Sequence, residues 1–272
     1  MKEKAVRFQP VGFGRRLGSM LKVDFRRMFR SRTFYILIAC ALLIPILMTV
    51  MMTMMDGSVS VDPQTGVETV IHGPENTWQS IGTLPIEDGT AMGGMDVMAM
   101  CNINMMFMLA AVFICLFISE DFRSGYAKNL FSVRAKKGEY VISKTVAGFV
   151  CGALMLIAYF TGAMLGGAIS GLSFDLCGLT VGNIVMCMIA KVFLMLVFVA
   201  IDVIVSVGAK QKTWLCICGS LAAGMLLFMM VSAVTPLGST MMNVILCLAG
   251  GALFSVGLGA ISTKILEKTS LV

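Results

Sequence analysis

Val181 to Gly208, VGNIVMCMIAKVFLMLVFVAIDVIVSVG, runs for 28 residues with two charges, Lys191 and Asp202. About 20 such residues in a helix cross the ~30 Å hydrocarbon layer of a bilayer. Lipid offers the backbone no hydrogen bonds, so the segment must satisfy its own, and a helix is the form that does so. Working outward, comparable runs occur at Phe34 to Met55, Val97 to Ile118, Thr145 to Ile169, Trp214 to Val234 and Met242 to Ser262. The 272 residues are 58% hydrophobic and 13% charged, against about 25% charged in a soluble domain. Too little charge remains to coat a soluble globule. The expectation is an all-α membrane protein with six transmembrane helices.

The basic residues orient these spans, because Lys and Arg accumulate in cytoplasmic flanks. Ten precede Phe34, and since the first run also exceeds the ~7 to 15 apolar residues of a cleaved leader, it is expected to stay as a permanent helix. None lies between Asp56 and Asp96, where seven acids sit: Asp56, Asp62, Glu68, Glu75, Glu87, Asp88 and Asp96. Arg123, Lys128, Arg134, Lys136, Lys137 and Lys144 follow the second run, and Lys210 with Lys212 follow the fourth. The connections around Asp175 and at Pro236 to Thr240 are free of base, and Lys264 and Lys268 close the chain. Both termini are expected in the cytoplasm of a multi-pass protein of the cell membrane. The expected division is a cytoplasmic tail and interfacial helix over 1–33, a transmembrane domain over 34–263, and a tail over 264–272. Within it, 56–96 forms an outer loop and 119–144 an inner one. The net charge of +6 reads as this topology signal, with no nucleic-acid partner, since every basic cluster flanks an apolar run.

Seven of nine cysteines lie inside apolar runs: Cys40, Cys115, Cys151, Cys187, Cys216, Cys218 and Cys247. They read as small hydrophobes, as the 25 methionines read as soft packing. Cys101 and Cys177 approach the outer face, where one bridge is conceivable. No CxxC pair occurs, and the single histidine, His72, falls in the acidic loop. HExxH, GxSxG with a histidine partner and paired intramembrane aspartates are absent, as is the phosphate-cradling GxxxxGK[ST] loop. The chain is therefore expected to be no enzyme and to bind no cofactor, and any nucleotide energy must come from a partner.

Leu17 to Tyr35 reads LGSMLKVDFRRMFRSRTFY and places Leu17, Leu21, Phe25, Met28 and Phe29 at helical spacing, opposite Arg and Lys. That pattern fits an amphipathic helix lying on the lipid of the inner leaflet. Ser119 to Lys144, SEDFRSGYAKNLFSVRAKKGEYVISK, holds a short helix-forming stretch, a glycine break at Gly125 and a basic patch. Here the sequence resembles the ABC-2 type permease family. Glu120, Gly125, Arg134, Tyr140, Ser143 and Lys144 stand where that family has its acidic-Gly segment, Arg, and Tyr-Val-x-Ser-Lys-like start to the third span. The resemblance implies an exporter half whose inner loop docks as a coupling helix on a separate ABC ATPase. It further implies two ATPases per complex, with a second copy of this chain or a related permease. Glu120, Asp121, Gly125, Arg134, Tyr140 and Lys144 become the candidate coupling residues.

Charges inside a span are costly enough to be functional candidates. Lys191 and Asp202 share a face but stand ~16 Å apart at 1.5 Å per residue, too far to pair. Lys191, with Asn102 and Asn104 near the outer end of the second run, forms the candidate substrate path. Gly148 and Gly152, Gly162 and Gly166, and Gly167 and Gly171 are small-xxx-small pairs that permit close helix contact. The preferred function is ATP-driven export of a hydrophobic or amphipathic substrate, such as an antimicrobial peptide, drug or lipid. The alternatives are an ATPase-independent transporter or channel, and a membrane scaffold or sensor subunit.

Overall fold

The computed structural model describes residues 12–61, 68–70, 73–82, 102–133 and 136–268. Helix α1, Phe13–Arg30, is separated by the extended Ser31 from α2, Arg32–Met54. A hairpin pairs β1, Val59–Val61, antiparallel to β2, Glu68–Val70, with Val59 opposite Val70. A 3₁₀ turn, Thr77–Ser80, precedes α3, Met105–Arg123, and the short α4, Tyr126–Val133. Then come α5, Lys137–Ser170; α6, Val181–Ala209; α7, Thr213–Val234; and α8, Met241–Lys268.

Among the described residues five helices, α2, α3, α5, α6 and α8, are long and apolar enough to cross a membrane. In α7 the corresponding apolar stretch is shorter, Thr213–Phe228. The expected apolar runs fall on these six helices, but α5 begins at Lys137, well before Thr145, and α3 only at Met105. Apolar composition reports immersion in lipid, whereas intrahelical hydrogen bonds carry the helix beyond it. Tyr140, Ser143 and Lys144 consequently project from a rigid helix. Val97 to Cys101, at the start of the second apolar run, lie outside the described residues, and α3 starts at Met105. Cys101 and His72 also fall outside them.

The glycines of α5 explain its central position. A Cβ at Gly162 would strike the Leu42 carbonyl and the Pro45 ring of α2, and one at Gly166 would press on Ile46. On the other side, Gly152 admits Met195 of α6, while Gly148 lies against Val199 and against Ile114 of α3. Tyr159, Met155, Phe107 and Phe113 fill the core between these helices. Outer faces of α2, α7 and α8 leave Leu47, Leu226, Leu253 and Val256 exposed, as expected of surfaces solvated by lipid.

The connections gather at two ends of the bundle. At one, Trp78 donates through Nε1 to the Phe174 carbonyl at 3.2 Å, Asn76 Nδ2 donates to the Asp175 carbonyl at 2.6 Å, and Gly82 abuts Leu237. At the other, Arg16 of α1 meets Glu139 of α5 at 2.8 Å, Lys137 Nζ donates to the Leu266 carbonyl of α8 at 2.6 Å, and Gln211 reaches Phe122. Each basic connection lies at the second end.

Candidate functional site

α1 has two working faces. Met20, Asp24 and Met28, at i, i+4 and i+8, are buried against the bundle, while Phe13, Val23 and Phe29 are exposed. A carboxylate on the buried face must find cations. Lys144 Nζ stands 2.7 Å from Asp24 Oδ1 and 2.7 Å from Asp121 Oδ2, and Arg27 Nη1 stands 2.6 Å from Asp121 Oδ1. Ser143 donates to Asp24 at 2.6 Å and Tyr140 donates to Asp121 at 3.0 Å. Two acids and two bases from α1, α3 and α5 thus close a charge-balanced knot. Lys144 also lies 4.2 Å from the centre of the Phe117 ring, and Arg27 lies 4.5 Å from that of Tyr126 on α4. Burial works to lower the Arg27 pKa, but Asp121 and Asp24 outweigh it and raise the value above normal. Burial and the same two carboxylates raise that of Tyr126.

The chain reverses from α3 into α4 at Gly125, whose φ of +72° lies in the left-handed region. Glycine adopts that conformation without the Cβ clash other residues meet. On α4, Lys128, Asn129 and Ser132 are exposed, so this helix presents a polar face beside the knot.

The second polar centre is nearer the other end. Lys191 Nζ donates to Asn104 Oδ1 at 2.7 Å and to Thr235 Oγ1 at 3.0 Å. Asn104 also donates to Ser232 at 3.1 Å, and Asn102 Oδ1 accepts from the Asn104 amide at 2.9 Å. Asn104 and Thr235 cap the ends of α3 and α7. Among the described residues no carboxylate pairs with Lys191. The ammonium is held by dipoles alone.

Asp202 is buried on α6, away from both centres, with its Oδ2 lacking a hydrogen-bond partner among the described residues. Nearby, Cys115 donates to Ser220 at 3.2 Å, and Ser119 and Cys216 are bonded at 3.3 Å. No group of His, Cys, Asp and Glu suited to a metal occurs among the described residues.

The sequence candidates therefore separate by position. Asp121, Tyr140 and Lys144 are buried in the knot. Glu120 is exposed, Gly125 makes the turn, and Arg134 lies outside the described residues. Lys191 and Asn104 are bonded, with Asn102 one step removed. Asp24, Arg27 and Thr235 were missed. The signal for Asp24 was present: an acid at helical spacing between Met20 and Met28, on the apolar side of a basic helix.

Comparison with protein families gives a match. The family described as "ABC-2 family transporter protein" matches residues 20–225. No curated protein matches the chain, and no solved structure matches it. The matched span begins in α1 and ends within α7, so it contains the knot and the Lys191 to Asn104 bond.

Proposed function

The chain belongs to the ABC-2 transporter family, and from that membership we propose that it is the membrane-spanning subunit of an ATP-driven exporter of a hydrophobic or amphipathic substrate. The family implies a transporter with an ATPase partner. In this reading α2, α3, α5, α6, α7 and α8 are six spans over 34–263, α1 lies on the inner leaflet, and both termini are in the cytoplasm of a plasma-membrane protein. Residues 119–144 form the coupling element. Two copies of the chain, or one with a related permease, work with two ATPases that hold ATP and Mg.

The observation that carries the proposal is the charge knot. It fastens α1, the end of α3 and the start of α5 together beside the exposed face of α4. A displacement imposed on α4 by a partner would then move three elements as one body, which is how a rigid-body transition is transmitted. Glu120 and Arg134 serve as partner contacts; Asp121, Tyr140 and Lys144 act as positioning residues, and Gly125 sets the angle. Lys191, Asn104 and Asn102 face the substrate path. Such an exporter moves antimicrobial peptides, drugs or lipids.

Replacing Glu120 and Arg134 together by Ala tests the coupling role. With a co-expressed cassette ATPase, the variant should keep its helices inserted while ATP hydrolysis by the complex falls about tenfold, the effect of losing one charge-assisted contact. Parental hydrolysis and copurification would remove the segment from that role. Orientation is tested by single cysteines at the exposed Ser58 and Ser132, in a chain cleared of reactive thiols. An impermeant maleimide should label the first from outside intact cells and spare the second; the reverse would invert the topology.

A further inference from the structure

A cavity of about 320 Å³ opens where the junction of α1 and α2 faces the inner end of α3, a size within the range of small-molecule sites. One side is polar, with Arg27, Ser31 and Thr33; the other is a stripe of α3 formed by Phe113, Leu116, Phe117 and Glu120. These four stand at i, i+3, i+4 and i+7, so the stripe descends ~10 Å from a carboxylate to aromatic rings. The lining is graded along that length. Glu120 is exposed at the rim and Arg27 is about 30% exposed, while Phe113 is buried at the floor. Ser31 precedes the first turn of α2 and makes no capping bond with its side chain. Ser31 and Thr33 line the same space as the guanidinium, and hydroxyls beside a guanidinium suit a phosphate.

The charges narrow the occupant. Arg27 is partly compensated by Asp121 and Asp24, and Glu120 adds a negative charge at the rim. A purely anionic headgroup meets repulsion there. A phosphate joined by two carbons to a protonated amine meets both signs in place, and its acyl chains meet the apolar floor. We propose that this cavity binds an inner-leaflet phospholipid of the phosphatidylethanolamine type. Its phosphate lies on Arg27, Ser31 and Thr33, its amine on Glu120 while no ATPase engages that residue, and the first acyl carbons over Phe113, Leu116 and Phe117. Because Arg27 is also a strand of the knot, the lipid contacts the side chain that ties α1 to α3. The inference rests on the inner-leaflet placement of α1 proposed above and requires no ATPase.

The test uses the full chain purified alone in detergent, with equimolar dioleoyl phosphatidylethanolamine and dioleoyl phosphatidylglycerol, and bound lipid counted by native mass spectrometry. The parent should hold the ethanolamine lipid in about tenfold preference, the worth of one charge-assisted contact. Glu120→Gln should bring the ratio within about twofold. Leu116→Trp, filling the cavity, should abolish retention of both lipids with unchanged helical circular dichroism. Equal retention by the parent, or a preference surviving either substitution, overturns the proposal. If Leu116→Trp alters the dichroism, Glu120→Gln at its exposed position decides. Selective lipid binding by a chain that captures no ATPase would break the exporter reading alone, whereas ATPase capture without lipid selectivity would break this inference alone.

Discussion

Lys144 and Lys191 are both about 1% exposed, yet their surroundings are opposites. Lys144 sits between Asp24 and Asp121, with Arg27 completing a neutral set. Lys191 has an amide oxygen and a hydroxyl at the ends of two other helices. Burying a charge is expensive, and an opposite charge in good geometry repays most of that cost. Dipoles repay less. The knot is thus a fastener whose members depend on one another, while the Lys191 ammonium is a charge retained at a standing cost. A cost kept within a membrane span makes the residue a functional candidate.

The comparison breaks most visibly at Lys144. Lys144→Met leaves two buried carboxylates against one guanidinium, and stability should fall by about 3–5 kcal/mol. Asp24→Asn in the same chain removes the surplus negative charge and should recover part of it. Thermal unfolding of the single and double variants in detergent reads the coupling; additive losses would deny that the knot is one unit. Next in size is Asn104→Ala, which deprives Lys191 of its 2.7 Å acceptor and should cost about 1–3 kcal/mol. Lys191→Met added to it should cancel much of that loss. The smallest change in stability is expected from Lys191→Met alone, within about 1 kcal/mol of the parent, because the cost of burial leaves with the charge. Substrate export by that variant should nevertheless fall at least tenfold. Proportionate losses of stability and export would make Lys191 a structural residue and erase the contrast.

Much of this fold was legible because hydropathy and charge alternation are local signals. Residues 181–208 announce α6, and the basic connections do gather at one end of the bundle. The knot was half legible. Asp121, Tyr140 and Lys144 came from a segment that resembles the family pattern, but their partner Asp24 is 120 residues from Lys144 along the chain, and no periodicity reports such a distance. The five residues named for the apolar face of α1 omitted Met20 and Asp24, since a carboxylate on that face looks like an interruption until its cations are seen. For Lys191, depth in the span could be read from sequence. The acceptors could not, because Asn104 and Thr235 reach it only through the places where α3 and α7 end. The α2 to α5 contact was readable as small-xxx-small spacing without its target; Leu42 and Pro45 supply it.

Site-specific photocrosslinking reads directly whether the face beside the knot meets an ATPase. A photoreactive amino acid at Asn129, exposed on α4, is compared in native membranes with one at Ser58, exposed at the other end of the bundle. Mass spectrometry of the Asn129 adduct should identify a protein carrying the GxxxxGK[ST] phosphate loop, and the Ser58 position should capture none. Capture of no such protein from Asn129, or of the same protein from both positions, would mean that α4 is not the ATPase-facing element.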